Sequence, residues 1–269
     1  MLQFPNGETF AAYIRRTGPE ARAFYARHGI GSLLARPIAN PKLAKGLDFG
    51  FLTAPMHLAP ASLGGFNVCP KATAGCKAAC LHTAGNPAYM AGKARSRVAK
   101  TRAFFTDRPA FMVALVRELA KHATRAAELR MVCGVRLNAT SDIRWETIPA
   151  NGARNVMELF PSTSFYDYSK IANRRNLPSN YRLTFSLAEN NDADALHALV
   201  HGGMNVAVAF NVTRGHELPR TFVIQGHSFP VIDGDVHDYR PGDPRGVIVG
   251  LRAKGRAIGD TSGFVRAAA

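Results

Sequence analysis

The sequence predicts an α/β protein built as a TIM-type barrel or partial (β/α) barrel, with a doubly wound open sheet as the alternative. Three observations point there. Short apolar runs recur along the chain, helical patterns lie between several of them, and the runs tend to end in polar clusters. Strand and helix in alternation imply a parallel sheet with helices outside, and barrels gather their site residues at the carboxyl ends of the strands.

The order of elements supports this division. Residues 1–45 read as a helical N-terminal lead-in, because Phe10, Ala11, Tyr13, Ile14, Ala21, Phe24 and Tyr25 recur at helical spacing and Pro19 opens a second helix. Residues 46–269 form the barrel-like domain. Its strands are expected at Phe49–Ala54, Val132–Asn138, Ser164–Tyr168, Arg182–Leu187, Asn205–Phe210, Phe229–Ile232 and Gly246–Leu251, all short and rich in Val, Phe or Ile. Helices are expected at Pro87–Ala103, Pro109–Ala127 and Ala193–His201. The last residues, Arg266 to Ala269, read as a frayed end.

Composition narrows the class. The chain has 269 residues, 46% of them hydrophobic and 20% charged, as a packed globular protein does. Its formal net charge of +15 attracts polyanions at long range, so nucleic acid or a phosphorylated nucleotide is the expected partner; a merely solubilising surface is the alternative. No stretch approaches the ~20 apolar residues of a membrane span. No apolar signal segment follows Met1, so the expected location is the cytoplasm, where disulfides are disfavoured for the four cysteines.

Three of those cysteines, Cys69, Cys76 and Cys80, fall within twelve residues on a loop containing Gly and Pro. Lys71 and Lys77 favour their thiolate forms. Three thiolates with His82 make a closed zinc site; three thiolates leaving one iron open hold an iron–sulfur cluster that binds a co-substrate such as S-adenosylmethionine. Buried free cysteines acting as small hydrophobes are the plainer alternative, and Cys133, inside an expected strand, is assigned to the core. Enzymes that pair S-adenosylmethionine with an iron–sulfur cluster carry their cysteines after the first strand of a partial barrel, and this chain is similar in layout. It lacks a glycine-glycine-acid motif before the next strand.

Polar residues follow the other strands. Asn138, Ser141 and Asp142 surround the chain's one tryptophan and suit a nucleobase or ribose, with Asp142 as base or nucleophile; a helix cap is the alternative. Strand alternation puts Tyr166, Tyr168 and Lys170 on one face, fit to stack on a base and pair with phosphate, and turns Asp167 the other way. Ser186, Glu189 and Asn190 follow a strand as a ribose-binding group or a capping box, with Glu189 and Lys170 joining Asp142 as candidate catalytic residues. Asp233, with Asp235, His237 and Asp238, is read as a turn carrying one substrate-binding aspartate, with oxygen ligation of a divalent metal as the alternative. Lys93, Arg97 and Lys100 share a helix face suited to tracking phosphates, and Arg174, Arg175, Arg252, Lys254 and Arg256 add basic patches.

Taken together, Cys69-Pro70 with Cys76 and Cys80, the Arg136–Ile143 stretch, Phe165–Lys170 and Val231–Asp235 resemble the phage "gene product 88" family, over about Phe49 to Lys254. The resemblance implies a phage origin, and hence the cytoplasm of an infected host cell, rather than an activity. Three functions follow from the residues. The first is an iron–sulfur enzyme modifying nucleic acid or nucleotides. The second is a zinc-supported base-exchange enzyme similar to tRNA-guanine transglycosylases, with Asp142 attacking the sugar. The third is a non-catalytic DNA-binding protein with a structural metal.

Overall fold

The computed structural model describes residues 2–37, 41–80 and 91–268. Three helices lead in: α1 (Phe10–Arg16), α2 (Gly18–His28) and α3 (Pro41–Asp48). Strand β1 (Phe51–Pro55) is followed by the cysteine loop with the short α4 (Ala74–Ala78), then α5 (Ala91–Thr106) and α6 (Arg108–Glu128). Next come β2 (Val132–Arg136), α7 (Val156–Leu159), β3 (Ser164–Ser169), β4 (Tyr181–Ser186), α8 (Asp192–Val200) and β5 (Asn205–Phe210). The chain ends with β6 (Thr221–Ile224), β7 (His227–Asp233), β8 (Ile248–Arg252) and β9 (Val265–Arg266). All seven expected strands form. His82 and the first residues of the helix expected from Pro87 lie outside the described residues.

The strands join one mostly parallel sheet in the order β1-β2-β3-β4-β5-β8-β7-β6, with β9 also on β5. The expected TIM-type barrel is not what forms, because β1 and β6 end the order and do not pair with each other. The reason is local. β6 turns through Gln225 and Gly226, both at positive φ, into an antiparallel hairpin with β7. That is the two-residue turn whose twist matches paired strands, and it fills the edge of β7 where a closing strand would dock. The open-sheet alternative fits better, though the order from β1 to β5 simply follows the sequence. Right-handed crossovers in such an order stack their helices on one face, unlike a doubly wound sheet.

Side chains alternate across this sheet. Ala54, Val135, Phe165, Leu183, Phe185, Val206 and Val208 face one core with Phe111, Leu115 and Leu119 of α6. The helical lead-in shares that core: Phe24 meets Phe111 edge-on at 6.0 Å, and Phe4 packs against Phe160 at 5.5 Å. Glu118 of α6 fastens the link, accepting the amides of Leu33 and Leu34, each at 2.7 Å.

The opposite face is polar yet buried. Tyr166 and Thr53 bond to each other through their hydroxyls at 3.1 Å, beside Arg136. Segment 234–243, after β7, crosses this face to the first strands. Arg136 pairs with Asp238 at 2.5 Å, Tyr239 stacks on Phe51 at 4.1 Å, and Lys45 reaches the Asp235 carbonyl at 3.5 Å. The margins of the parallel array are therefore bridged by side chains where a barrel would use a ladder. Arg266, expected at the start of a frayed end, is instead held in place. Arg266 bonds Asp192 at 2.5 Å and the Ala188 carbonyl at 2.8 Å, while Val265 and Arg266 pair with Ala209 and Phe210.

Removing one partner of a buried pair strands the other charge. Asp238→Ala is expected to lower unfolding stability by about 3–5 kcal/mol in urea denaturation, and Arg136→Met with Asp238→Leu by much less. A loss of only about 1 kcal/mol for the single variant would mean that Arg136 finds water instead.

Candidate functional site

The cysteine loop lies over the carboxyl ends of the strands, and its attachments are specific. Cys69 is wedged between the loops after β1 and β2: the Ala61 amide donates to its sulfur at 3.4 Å, and the thiol points to the Thr140 carbonyl at 3.8 Å. Thr73 caps α4, its hydroxyl accepting the Cys76 amide at 3.2 Å. Glu189, just beyond β4, completes the clasp. Its carboxylate takes the Thr73 hydroxyl at 2.7 Å and the Gly75 amide at 2.8 Å. A Cβ at Gly75 would sit 2.3 Å from the Ser262 hydroxyl and 2.9 Å from the Glu189 carboxyl carbon, so a larger residue would push the Ser262 and Glu189 side chains aside. Although burial pushes Glu189 upward, the bonds from Thr73 and Gly75 and the charge of Lys170 hold its pKa below the usual carboxylate value.

The three thiols share one electrostatic neighbourhood. Burial raises Cys69 to about 11, and Cys80, Asp142 and Cys76 add smaller upward pushes. Arg97 of α5 is partly desolvated, which lowers its pKa, and Cys80 pulls in the other direction. Among the described residues, no group of three or more His, Cys, Asp or Glu side chains is arranged to hold a single metal ion. The fourth residue of the expected zinc quartet, His82, lies outside the described residues.

Several side chains expected to meet substrate are instead used by the fold. Asn138 is buried and fully engaged: its Oδ1 accepts from the Ser141 hydroxyl at 2.8 Å, the Ile143 amide at 2.9 Å and the Trp145 indole at 3.1 Å. An amide with three donors on one oxygen organises the turn and has little left for a nucleobase. Ser141 belongs to the same network. Asp142 is buried too, accepting the Lys170 amide at 2.8 Å and facing Arg174 at 3.7 Å. Tyr166 is wholly enclosed. Tyr168 is half-buried with Arg136 lying 4.9 Å over its ring, so its face is taken. Both Asp233 oxygens accept from one nitrogen of Arg252, Nη1, at 2.9 and 3.0 Å, closing a turn. Arg174, expected in a basic patch, is buried against Glu146, and Lys254 is tied to Asp235 at 2.6 Å.

The expected phosphate-tracking face does not exist as such. Lys93 is exposed, but Lys100 is buried and its ammonium donates to the Leu33 carbonyl at 2.9 Å, while Arg97 is half-buried. What the rim does bring together is Lys170, Ser186 and Glu189. The Lys170 ammonium meets the Ser186 hydroxyl at 2.6 Å and lies 5.3 Å over Phe264. Asn190, next in sequence to Glu189, is exposed.

Two residues were given no site role by the sequence reading. His57 follows β1 and is held neutral, its pKa pushed down to about 3 by burial and then by Arg97, Arg136 and Lys100. Only its place after the first strand could have flagged it. Asp167, on the helix-facing side of β3, accepts the Asn138 amide at 2.8 Å and the Tyr181 hydroxyl at 3.0 Å. Alternation along β3 was the available signal.

The geometry defines a class: an α/β protein with a cysteine loop clasped onto the carboxyl-end rim of a single mostly parallel sheet. The chain belongs to the Gene product 88 family, whose model matches residues 32–268 and so extends beyond the motifs that first suggested it. No curated protein and no solved structure matches the chain. No described helix is long and apolar enough to cross a membrane.

Two outcomes follow. Glu189→Ala is expected to speed alkylation of Cys76 and Cys80 several-fold in the native protein, read by mass spectrometry; unchanged rates would mean the loop has another anchor. Burial pushes Asp167 up to about 7, against Arg136 and its hydrogen bonds. An acid raised on folding destabilises where the unfolded chain has lost the proton and the folded one keeps it. Stability relative to Asp167→Asn should therefore fall between about pH 4 and 7 and level off above. A flat difference in pH-dependent unfolding would contradict the raised value.

Proposed function

We propose that this chain is a metal-centre enzyme acting on nucleic acid or a nucleotide, with an iron–sulfur cluster held by Cys69, Cys76 and Cys80. The observation that carries this reading is the clasp. Glu189 binds the cysteine loop onto the strand ends, within the electrostatic reach of Lys170. Sheets of this kind keep their reactive sites at the carboxyl ends of the strands.

The donor set fits such a group. A multi-iron cluster ligates its thiolates through separate irons, so the thiols need a shared neighbourhood rather than one point of convergence. The positive charge of Arg97 is felt at Cys80, which suits an anionic thiolate assembly. When bound, the cluster supplies electrons to a co-substrate such as S-adenosylmethionine. The chain's own residues do the rest. Glu189 fixes the loop, Ser186 and Lys170 present a hydroxyl and an ammonium at the rim, and Phe264 shields that ammonium from water.

Base exchange through Asp142 is less favoured, because that carboxylate is buried and already used by the Lys170 amide and Arg174. A purely structural metal leaves the Lys170–Ser186 contact without a purpose.

Anaerobic purification followed by iron, sulfide and zinc analysis tests the proposal. Iron and sulfide in stoichiometric amounts with a brown absorption, both lost in Cys76→Ala, is the expected result. Colourless protein without iron overturns it, and stoichiometric zinc alone turns the reading toward a structural site.

A further inference from the structure

Helix α5 carries Lys93, Arg95, Arg97, Lys100 and Arg102 and has no carboxylate along its 16 residues. A merely solvated helix usually mixes both signs, since pairs three or four residues apart stabilise it. The five cations do not share a task. Arg97 is half-buried and Lys100 buried, as described. Arg95 and Arg102 are exposed and line an open groove, with Ala94, Val98 and Ala99 as its floor and Arg27 and His28 at the end of α2 along its rim.

The charges in this groove are uneven. Asp107 engages Arg27 at 2.6 Å and His28 at 3.0 Å. Neither Arg95 nor Arg102 has an ion pair among the described residues, and no acidic residue lines the groove. Seven residues apart on a helix, their Cα atoms lie about 10 Å apart along its axis. Each can therefore reach a separate phosphate, and two cations spaced along one groove suit a polymer that presents phosphates in succession.

We propose that the α2–α5 groove seats the phosphate backbone of a nucleic acid, with Arg95 and Arg102 each contacting a phosphate and Arg27 bordering the same strand. The apolar floor accommodates sugar edges without reading sequence, as backbone contacts generally do. Helix α5 then works on both sides, binding the polymer outwardly while the charge of Arg97 is felt at Cys80. The inference deepens the nucleic-acid part of the proposed function and is independent of the metal.

The test is fluorescence anisotropy of labelled single-stranded and duplex oligonucleotides with the whole chain across a salt series. Arg95→Gln with Arg102→Gln is compared with Arg214→Gln with Arg220→Gln, which removes the same charge from exposed positions elsewhere. The groove variant is expected to bind about tenfold or more weakly near 0.1 M salt, and to lower the slope of log K against log salt by about 1.5–2. The control variant should keep the wild-type slope. Equal losses in both variants would make the attraction diffuse and overturn the groove, and so would a groove variant that binds as tightly as wild type. No oligonucleotide binding by the unaltered chain overturns both the groove and the nucleic-acid reading, whereas missing iron with intact binding removes only the metal centre. Thermal unfolding of both variants should match wild type, since all four side chains are exposed.

Discussion

The ion pair between Arg136 and Asp238 holds the architecture in its present form. It joins a strand near one margin of the sheet to a segment leaving a strand near the other, and it does so inside the protein. A charge at that depth is tolerable only with a partner. Its presence commits segment 234–243 to lie across the polar face, where Tyr239 and Arg240 cover what the helices do not. The apolar core on the opposite side packs by area alone, but this face is fixed by direction. Moving the segment would leave the Arg136 guanidinium without Asp238 and the Ser164 hydroxyl without the Tyr239 hydroxyl that donates to it at 2.8 Å.

The strands were legible because each is a short apolar run closed by polar residues. Both faces of β3 are buried, and alternation still separated Tyr166 from Asp167 correctly. The closure was not legible. Nothing in the composition of residues 221–233 distinguishes a parallel strand from one that folds back, since the decision rests on two turn residues, Gln225 and Gly226, adopting positive φ. The C-terminal pair Val265–Arg266 is too short to carry a period, so its pairing with β5 left no pattern to find.

The site divides along a similar line. Polar residues after strands were correctly seen as clustered, but a sequence does not say whether a cluster faces solvent or itself. Asn138 and Asp142 have the chemistry of ligands and spend it on Trp145, Lys170 and Arg174. Glu189 was legible as a rim residue, while its partner Gly75 carried no visible reason to be glycine until Ser262 and the carboxylate were found above it. In α5 the basic residues were seen correctly and their faces were not, because Lys100 answers to a carbonyl in the lead-in, far off in sequence.

The clasp spans 116 residues between Thr73 and Glu189, and Ser262 closes over it from still farther along the chain. Contacts of such separation form late, after nearby helices have condensed. The thiols therefore pass through an interval in which the sheet is being assembled and their cover is absent. During synthesis they meet the surrounding solution bare, open to metal donors and oxidants alike. An oxidant that arrives before the final strand docks therefore reaches the thiols without that cover.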